Sequence, residues 1–523
     1  MSSLNLSNEA TPKNLAWGQT WPNPLTFAEL AKTRRVIPVV RRLLADELSA
    51  VGVYRQLGED KPGTFILESG EHDGSWGRWS FVGCDSLGAI VYRDGQASWH
   101  GESPAGALQD GSFLDVVHSA LTKLHGDPIE GLPPLTGALV GNAGWGIISE
   151  WEPTLTPTAP REMNVPDASF VLASKVAAIN HHDGSIWLVS VAWNMNGNDA
   201  RVNEAYEAAL RGLDDMEQRL ASPIRPAVLS IDPQCEFPEV VHRSERGEYE
   251  ASVRAAQRAI EDGEVFQIVL SQRLDVQVNR ESLDVYRVLR TINPSPYMFY
   301  LRLPDGLGAT YDVIGSSPET LVKKEGERVW TYPIAGSRPR GTTGAEDHDL
   351  AVELLEDPKE LSEHVMLVDL ARNDLSKVCD PATVEVSTLM EIKRFSHIQH
   401  ISSTVTGLLR DDVDALDCLV ATFPAGTLSG APKPRAIRLI DDFEPAARGV
   451  YGGVVGYFDL SGDADLAIAI RTASVSEGVA SVQSGAGIVI DSVPATEYIE
   501  TRNKAAASVQ AVRIAQMLRS SSE

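Results

Sequence analysis

The chain has 523 residues, 43% hydrophobic and 23% charged, close to ordinary globular usage and too long for one core, so two substantial folding units are expected. A formal net charge of −26 argues against nucleic acid or an anionic membrane as the main partner, since both repel an acidic surface. No apolar run approaches the roughly 20 residues that span a bilayer, and MSSLNLSNEATPKNLAWGQ has no basic region leading into an apolar stretch, so a cytoplasmic protein is expected.

Residues 1–30 read as a disordered lead-in, and 31–220 as an N-terminal unit with short β-type runs, TFILES (64–69) and SIWLVSVAW (185–193). The segment 221–246 holds Pro223, Pro226, Pro233 and Pro238 without a sustained period and is the expected linker. In the remaining unit, 247–519, Tyr249, Val253, Ala256 and Ile260 share a helical stripe that ends near Asp262-Gly263. The β-rich run VFQIVLSQRLDVQV follows at once. Strands and helices mix without regular βαβ alternation, which predicts an α+β fold: large mixed or antiparallel sheets with flanking helices, not a doubly wound sheet. Cys84, Cys235, Cys379 and Cys418 lie far apart with no C-x-x-C pair, which fits buried, inert thiols in a reduced compartment.

Two helices carry paired carboxylates. In DPKELSEHVMLVDLARNDL (357–375) Asp357 can cap, Pro358 suits the first helical position, and Glu360 stands where a capping box places a carboxylate. Val365, Met366, Leu367, Val368 and Leu370 make the next turns apolar almost all round, which predicts a buried helix. Glu360 and Glu363 share one face of it. From Pro494 a second helix repeats the spacing with Glu497 and Glu500, and Lys504 lies one turn further on. Four carboxylates from two helices suit a hard cation such as Mg²⁺. Spacing alone favours the plainer roles, with Glu360 as a cap and Glu497 and Glu500 facing solvent. Taken alone, G-A-G at 485–487 reads as a strand bulge, His400 as a packed or surface residue with His397 as its competitor, and Glu319 as a turn carboxylate.

Longer strings change these readings. PIAGSRPRG (333–341), KELSEHVMLVDLARNDL (359–375), GTLSGAPKPRA (426–436), YGGVVGYF (451–458), IRTA (470–473), SGAGIVIDSVP (484–494) and ETRNKA (500–505) occur in this order. Together they resemble the chorismate-binding catalytic domain across nearly the whole C-terminal half. That family includes anthranilate synthase component I and aminodeoxychorismate, isochorismate and salicylate synthases. The resemblance implies the layered sandwich of chorismate-utilising enzymes, with Mg²⁺ on Glu363 and Glu500 and with Glu360 and Glu497 in support. It implies that Gly485, Ala486 and Gly487 offer backbone N–H groups to a carboxylate, and that Arg471 grips the enolpyruvyl carboxylate. Tyr451, Lys504, Thr427, Gly336 and Ser337 complete the substrate contacts by the same carry-over; Ser337 departs from the usual threonine but keeps the hydroxyl. His400 becomes the residue that assists ring elimination, and Glu319 the acid for the departing C4 hydroxyl.

Two positions discriminate among members. Water-adding synthases have a lysine where this chain has Gln267, and a neutral amide cannot deprotonate water, whereas ammonia needs no such base. Aminodeoxychorismate synthases carry a nucleophilic lysine where this chain has Ala335. The expected activity is therefore that of the anthranilate synthase component I branch; the alternatives are aminodeoxychorismate synthase or another chorismate-using synthase, or a non-catalytic tryptophan-binding sensor. LESG (67–70), GRWSFVG (77–83) and NPSPYMFY (293–300) resemble the L-tryptophan feedback site of that branch. The residues implied are Glu68 for the ligand ammonium, Ser69, Arg78, and Pro296, Tyr297 and Met298 around the indole, with ordinary strand packing as the plainer alternative. No cysteine sits in an amidotransferase elbow. A separate glutamine amidotransferase subunit, in a heterotetramer, is expected to supply ammonia.

Overall fold

Apolar and β-branched runs become strands in the computed structural model, which describes residues 12–59, 61–70, 76–194, 201–223, 228–395 and 398–520. The elements that build the site are β1 (Thr64–Glu68), β2 (Ala138–Ala143), α1 (Arg246–Glu261), β3 (Gln267–Gln277), α2 (Ser282–Ile292), β4 (Tyr297–Pro304), β5 (Ile334–Pro339), α3 (Pro358–Leu375), β6 (Ile398–Leu408), β7 (Val454–Asp459), β8 (Val479–Ile488) and α4 (Pro494–Gln516). Among the described residues, 23 strands join one hydrogen-bonded network, and its pairings are antiparallel. The α+β expectation holds, in its antiparallel form. No helix among the described residues is long and apolar enough to cross a membrane.

The halves of the chain are not separate in the sheet. β1 pairs with β4, and β2 with β7, so N-terminal strands extend the C-terminal ladder. Two hydrophobic cores result, and each draws on both sides of 221–246. One contains Val140 and Phe170 with Ile268 and Phe458; the other contains Ile66 and Leu188 with Tyr286, Met298 and Val509. Burying each such side chain contributes about 1.5–3 kcal/mol, which a division at 221–246 would forfeit along the shared ladders. The segment read as a linker itself carries two short strands. Leu229–Ile231 pairs with Leu518–Ser520, and Val240–His242 with β3.

Residues 12–30 are folded, contrary to the lead-in expectation; residues 1–11 lie outside the described residues. Asn23 caps a helix over Pro24–Leu30 by accepting from the Thr26 N–H, and Phe27 and Trp21 are buried. Asn-Pro is a local helix-start signal that a reading from composition passes over. Cys84, Cys379 and Cys418 are buried as expected, but Cys235 is exposed.

Candidate active site

α3 and α4 each begin at the boundary read from the sequence. The Asp357 carboxylate accepts from the Lys359 and Glu360 N–H groups, and Pro358 and Pro494 occupy first-turn positions. α3 is one-sided rather than buried all round. His364, Leu367, Val368 and Leu375 are buried towards β5, β6 and the neighbouring helices, while Val365 is 45% exposed on the opposite face. His364 Nε2 and the Ser403 hydroxyl, 2.6 Å apart, tie the inner face to β6.

The two carboxylate pairs lie at these helix starts. Burial, then the charge of Glu363, raises the pKa of Glu360; burial raises that of Glu497, Ser492 donates to it, and the Glu500 charge raises it further. Lys359 of α3 also acts on Glu497 of α4, so the two helix starts share one electrostatic environment. Glu500 pairs with Lys504 at 2.7 Å, and Lys504 Nζ donates to the Gly485 carbonyl at 3.2 Å. On the other side the Gln267 amide donates to Glu363 at 3.4 Å, and a Cβ on Gly487 would lie 2.5 Å from that same amide. Glu363 and Glu500 thus border the same short stretch of β8. Among the described residues no three His, Cys, Asp or Glu side chains form a ready-made ligand cluster. The donors still fit a hard divalent cation, since they are carboxylates and within each pair one charge raises the pKa of the other.

Gly485, Ala486 and Gly487 continue the β3–β8 ladder without a register shift, opposite Ser271, Leu270 and Val269. The bulge alternative falls. Small residues are needed there for close approach, because a Cβ on Gly485 would lie 2.7 Å from the Tyr451 hydroxyl and 3.0 Å from the Leu270 carbonyl. Arg471 reaches this floor from a left-handed backbone conformation, φ +52°, and donates to the Lys504 carbonyl. Its burial lowers its pKa, with Tyr451 and Glu500 acting the other way. Among the described residues Arg471 forms no ion pair. A largely desolvated guanidinium without a carboxylate partner is a site for an anion.

His400 on β6 meets the Gly336 carbonyl through Nδ1 at 2.7 Å. A carbonyl only accepts, so Nδ1 carries the proton and Nε2 is left as a bare lone pair. Burial lowers the His400 pKa, the Gly336 carbonyl opposes this, and the Arg471 and Lys504 charges lower it further, which keeps the ring neutral near pH 7. His397 lies outside the described residues. Burial raises Glu319 to about 7, against a 2.9 Å hydrogen bond from the Thr427 hydroxyl and the charge of Lys504. Gly336 has φ +65°, and a Cβ there would lie 2.9 Å from the Glu360 carboxylate, so β5 brings His400 and Glu360 together around one glycine. Ser337 beside it is exposed, the least enclosed of the expected contacts. Arg338 was not anticipated: it bridges Glu353, Asp357 and Glu360.

The expected effector residues are only partly brought together. The Gly70 N–H donates to the Ser295 carbonyl, and Glu68 stands opposite Met298 in the β1–β4 ladder, so LESG and NPSPYM adjoin. The Glu68 carboxylate, however, is held by Arg290 through two hydrogen bonds, 2.9 and 3.0 Å, and by the Tyr286 hydroxyl. Glu68 therefore already has a cationic partner, which a ligand ammonium would have to share or displace. Strand alternation separates Tyr297 from Met298. Met298 is buried towards α2, whereas the Tyr297 hydroxyl meets Thr320 and Asp465 at 2.9 Å in the other layer. Pro296 and Tyr297 line a small hollow with Pro318, Thr320 and Tyr332. Arg78 is exposed, lies over the Trp79 ring at 5.3 Å, and lines a different cavity of about 400 Å³ with Lys323 and Asp459. Arg78 thus stands apart from Pro296 and Tyr297.

The family model described as chorismate binding enzyme matches residues 66–510. Anthranilate synthase component 1 of Arthrobacter globiformis is 48% identical over 491 residues, 94% of this chain and 92% of that protein. The protein of the same name from Mycolicibacterium smegmatis is 46% identical over 495 residues, 94% of each. The crystal structure of anthranilate synthase component I from Streptococcus pneumoniae TIGR4 superimposes with a TM-score of 0.72 at 32% identity, covering 89% of this chain and 98% of that one.

Proposed function

The chain belongs to the family of chorismate binding enzymes, in its anthranilate synthase component 1 line, and from that premise we propose that it converts chorismate and ammonia to anthranilate and pyruvate through 2-amino-2-deoxyisochorismate, the first step of tryptophan biosynthesis. One observation carries this reading: Arg471, Lys504 and Tyr451 converge on the Gly485–Gly487 strand beside the starts of α3 and α4. A dicarboxylic acid suits that floor, with one carboxylate at Arg471 and the other at the glycine backbone. Glu319, with a pKa of about 7, is protonated often enough to donate to the C4 hydroxyl as water departs. Ammonia adds at C2 through its own lone pair, so the neutral Gln267 is no handicap. The bare Nε2 of His400 then takes the C2 proton as pyruvate leaves and the ring becomes aromatic. Ala335 supplies no nucleophile for a covalent route. Glu363 and Glu500, supported by Glu360 and Glu497, would hold Mg²⁺, which when bound supplies a Lewis-acid clamp for the ring carboxylate.

Ammonia comes, in this reading, from a separate glutamine amidotransferase subunit in a heterotetramer. The buried thiols support it: burial pushes Cys84 and Cys418 up to about 12 and Cys379 to about 11, so none of these is an activated nucleophile. L-Tryptophan would inhibit by binding where Glu68–Gly70 adjoins Asn293–Met298 and favouring a less active arrangement. The location proposed is the cytoplasm. Pure protein mixed with chorismate, Mg²⁺ and ammonium should yield anthranilate fluorescence that EDTA or tryptophan abolishes, and glutamine alone should yield none. A different product by mass spectrometry, or turnover with glutamine alone, would refute the assignment.

A further inference from the structure

Arg448 is the largest fully buried side chain among the described residues, 1% exposed, and no step above uses it. Its Nε and one terminal nitrogen donate to both oxygens of Glu444, at 2.9 and 2.6 Å. Two of its three remaining N–H groups go to the backbone. One nitrogen reaches the Leu428 carbonyl at 2.8 Å and the other the Val269 carbonyl at 2.7 Å. The guanidinium lies over the Trp145 ring at 4.3 Å and over Tyr451 at 5.5 Å. Glu444 in turn accepts from the Ser271 N–H and hydroxyl, at 2.8 and 2.7 Å, and Gln483 donates to that same hydroxyl.

Each tie ends next to a residue of the proposed site. Leu428 follows Thr427. Val269 and Ser271 are the ladder partners of Gly487 and Gly485, and Val269 is two residues from Gln267. Tyr451, against Gly485, packs on the guanidinium itself. Well-packed apolar side chains often hold a fold as well as a buried ion pair does, so stability alone does not call for this arrangement. A planar fork that reaches four directions at once fixes relative positions, which a flexible ammonium cannot do. We propose that the Arg448–Glu444 pair is a positioning device that sets Thr427, Gln267, Tyr451 and the Gly485–Gly487 strand relative to one another, without touching substrate. This rests on the anthranilate synthase reading above.

The test compares wild type with Arg448→Lys and the isosteric Glu444→Gln. Arg302→Lys is the control, since the pair of Arg302 in β4 with Asp312 on the neighbouring strand Thr310–Ser317 carries no assigned role. Wild-type anthranilate formation from chorismate and ammonium is measured first; its absence would sink the underlying reading, not the pair's role. Misplacement on the order of 1 Å costs about 100-fold in rate, so both variants should lose 10- to 100-fold in kcat per folded molecule. Their KM for chorismate should stay within a few-fold of wild type, and Arg302→Lys should keep full kcat. Full kcat per folded molecule in Arg448→Lys and Glu444→Gln, whatever their melting temperatures, would overturn the proposal. So would loss of folded protein in both while Arg302→Lys stays folded and active, since the pair would then serve stability alone.

Discussion

Replacing Thr427 by valine should move the pH dependence of turnover in a stated direction. Burial raises Glu319 to about 7, and the hydrogen bond from the Thr427 hydroxyl pulls against that rise by stabilising the carboxylate. A hydrogen bond to a charged acceptor contributes about 1.5–3 kcal/mol, and one pKa unit corresponds to about 1.4 kcal/mol, so its loss should lift Glu319 by about one to two units. Glu319 donates its proton only when protonated. Wild-type kcat should therefore fall as pH rises through about 7, and in Thr427→Val the fall should come about one to two units later. The height of the profile will drop as well, because Thr427 is itself a proposed substrate contact; only the position of the limb tests the argument. Anthranilate fluorescence is followed from pH 5.5 to 9.5 at saturating chorismate, with free ammonia held constant at every pH. Thr427→Ser keeps the hydroxyl and should keep the wild-type limb. A limb in Thr427→Val that stays in place or shifts to lower pH would refute the Glu319–Thr427 reasoning.

Gly485→Ala puts a Cβ 2.7 Å from the Tyr451 hydroxyl and 3.0 Å from the Leu270 carbonyl, so it should cost about 1–3 kcal/mol by thermal melting and raise the chorismate KM at least tenfold; wild-type values for both would contradict the close-approach argument. Arg290→Met strips the partly buried partner from a buried Glu68 carboxylate and should destabilise by about 3 kcal/mol in urea, and an unchanged urea midpoint would mean that Tyr286 alone satisfies it. Calorimetric titration with Mg²⁺ should give a binding heat that Glu363→Gln and Glu500→Gln abolish and that Glu360→Gln or Glu497→Gln weakens 10- to 100-fold; equal heats in all five proteins would remove these carboxylates from the metal assignment. Nitrogen-15 chemical shifts of the histidines should show His400 titrating below the ordinary histidine range with the proton of its neutral form on Nδ1, and a ring that titrates above that range would exclude it as the base.

Local signals were legible without the fold. Asp357-Pro358 and Pro494 start their helices, the i, i+3 glutamates share faces, and the runs at 64–68, 185–193 and 267–277 are strands. Each is decided within one helical turn or one strand period, so the residues that settle it are neighbours in the chain. The motif strings also pointed to the residues that converge around Gly485–Gly487. Only the tertiary structure decided what those residues touch. Glu68 is neutralised by Arg290, 222 positions away, and Arg448 holds the Val269 carbonyl across 179 positions. Val365 is exposed on the face of α3 opposite β5 and β6, and Tyr297 and Met298 part because β4 has a different layer on each face. Which carboxylate keeps its charge free, and which apolar side chain meets water, depends on ladder partners and layers from distant parts of the chain, and no short-range pattern records them.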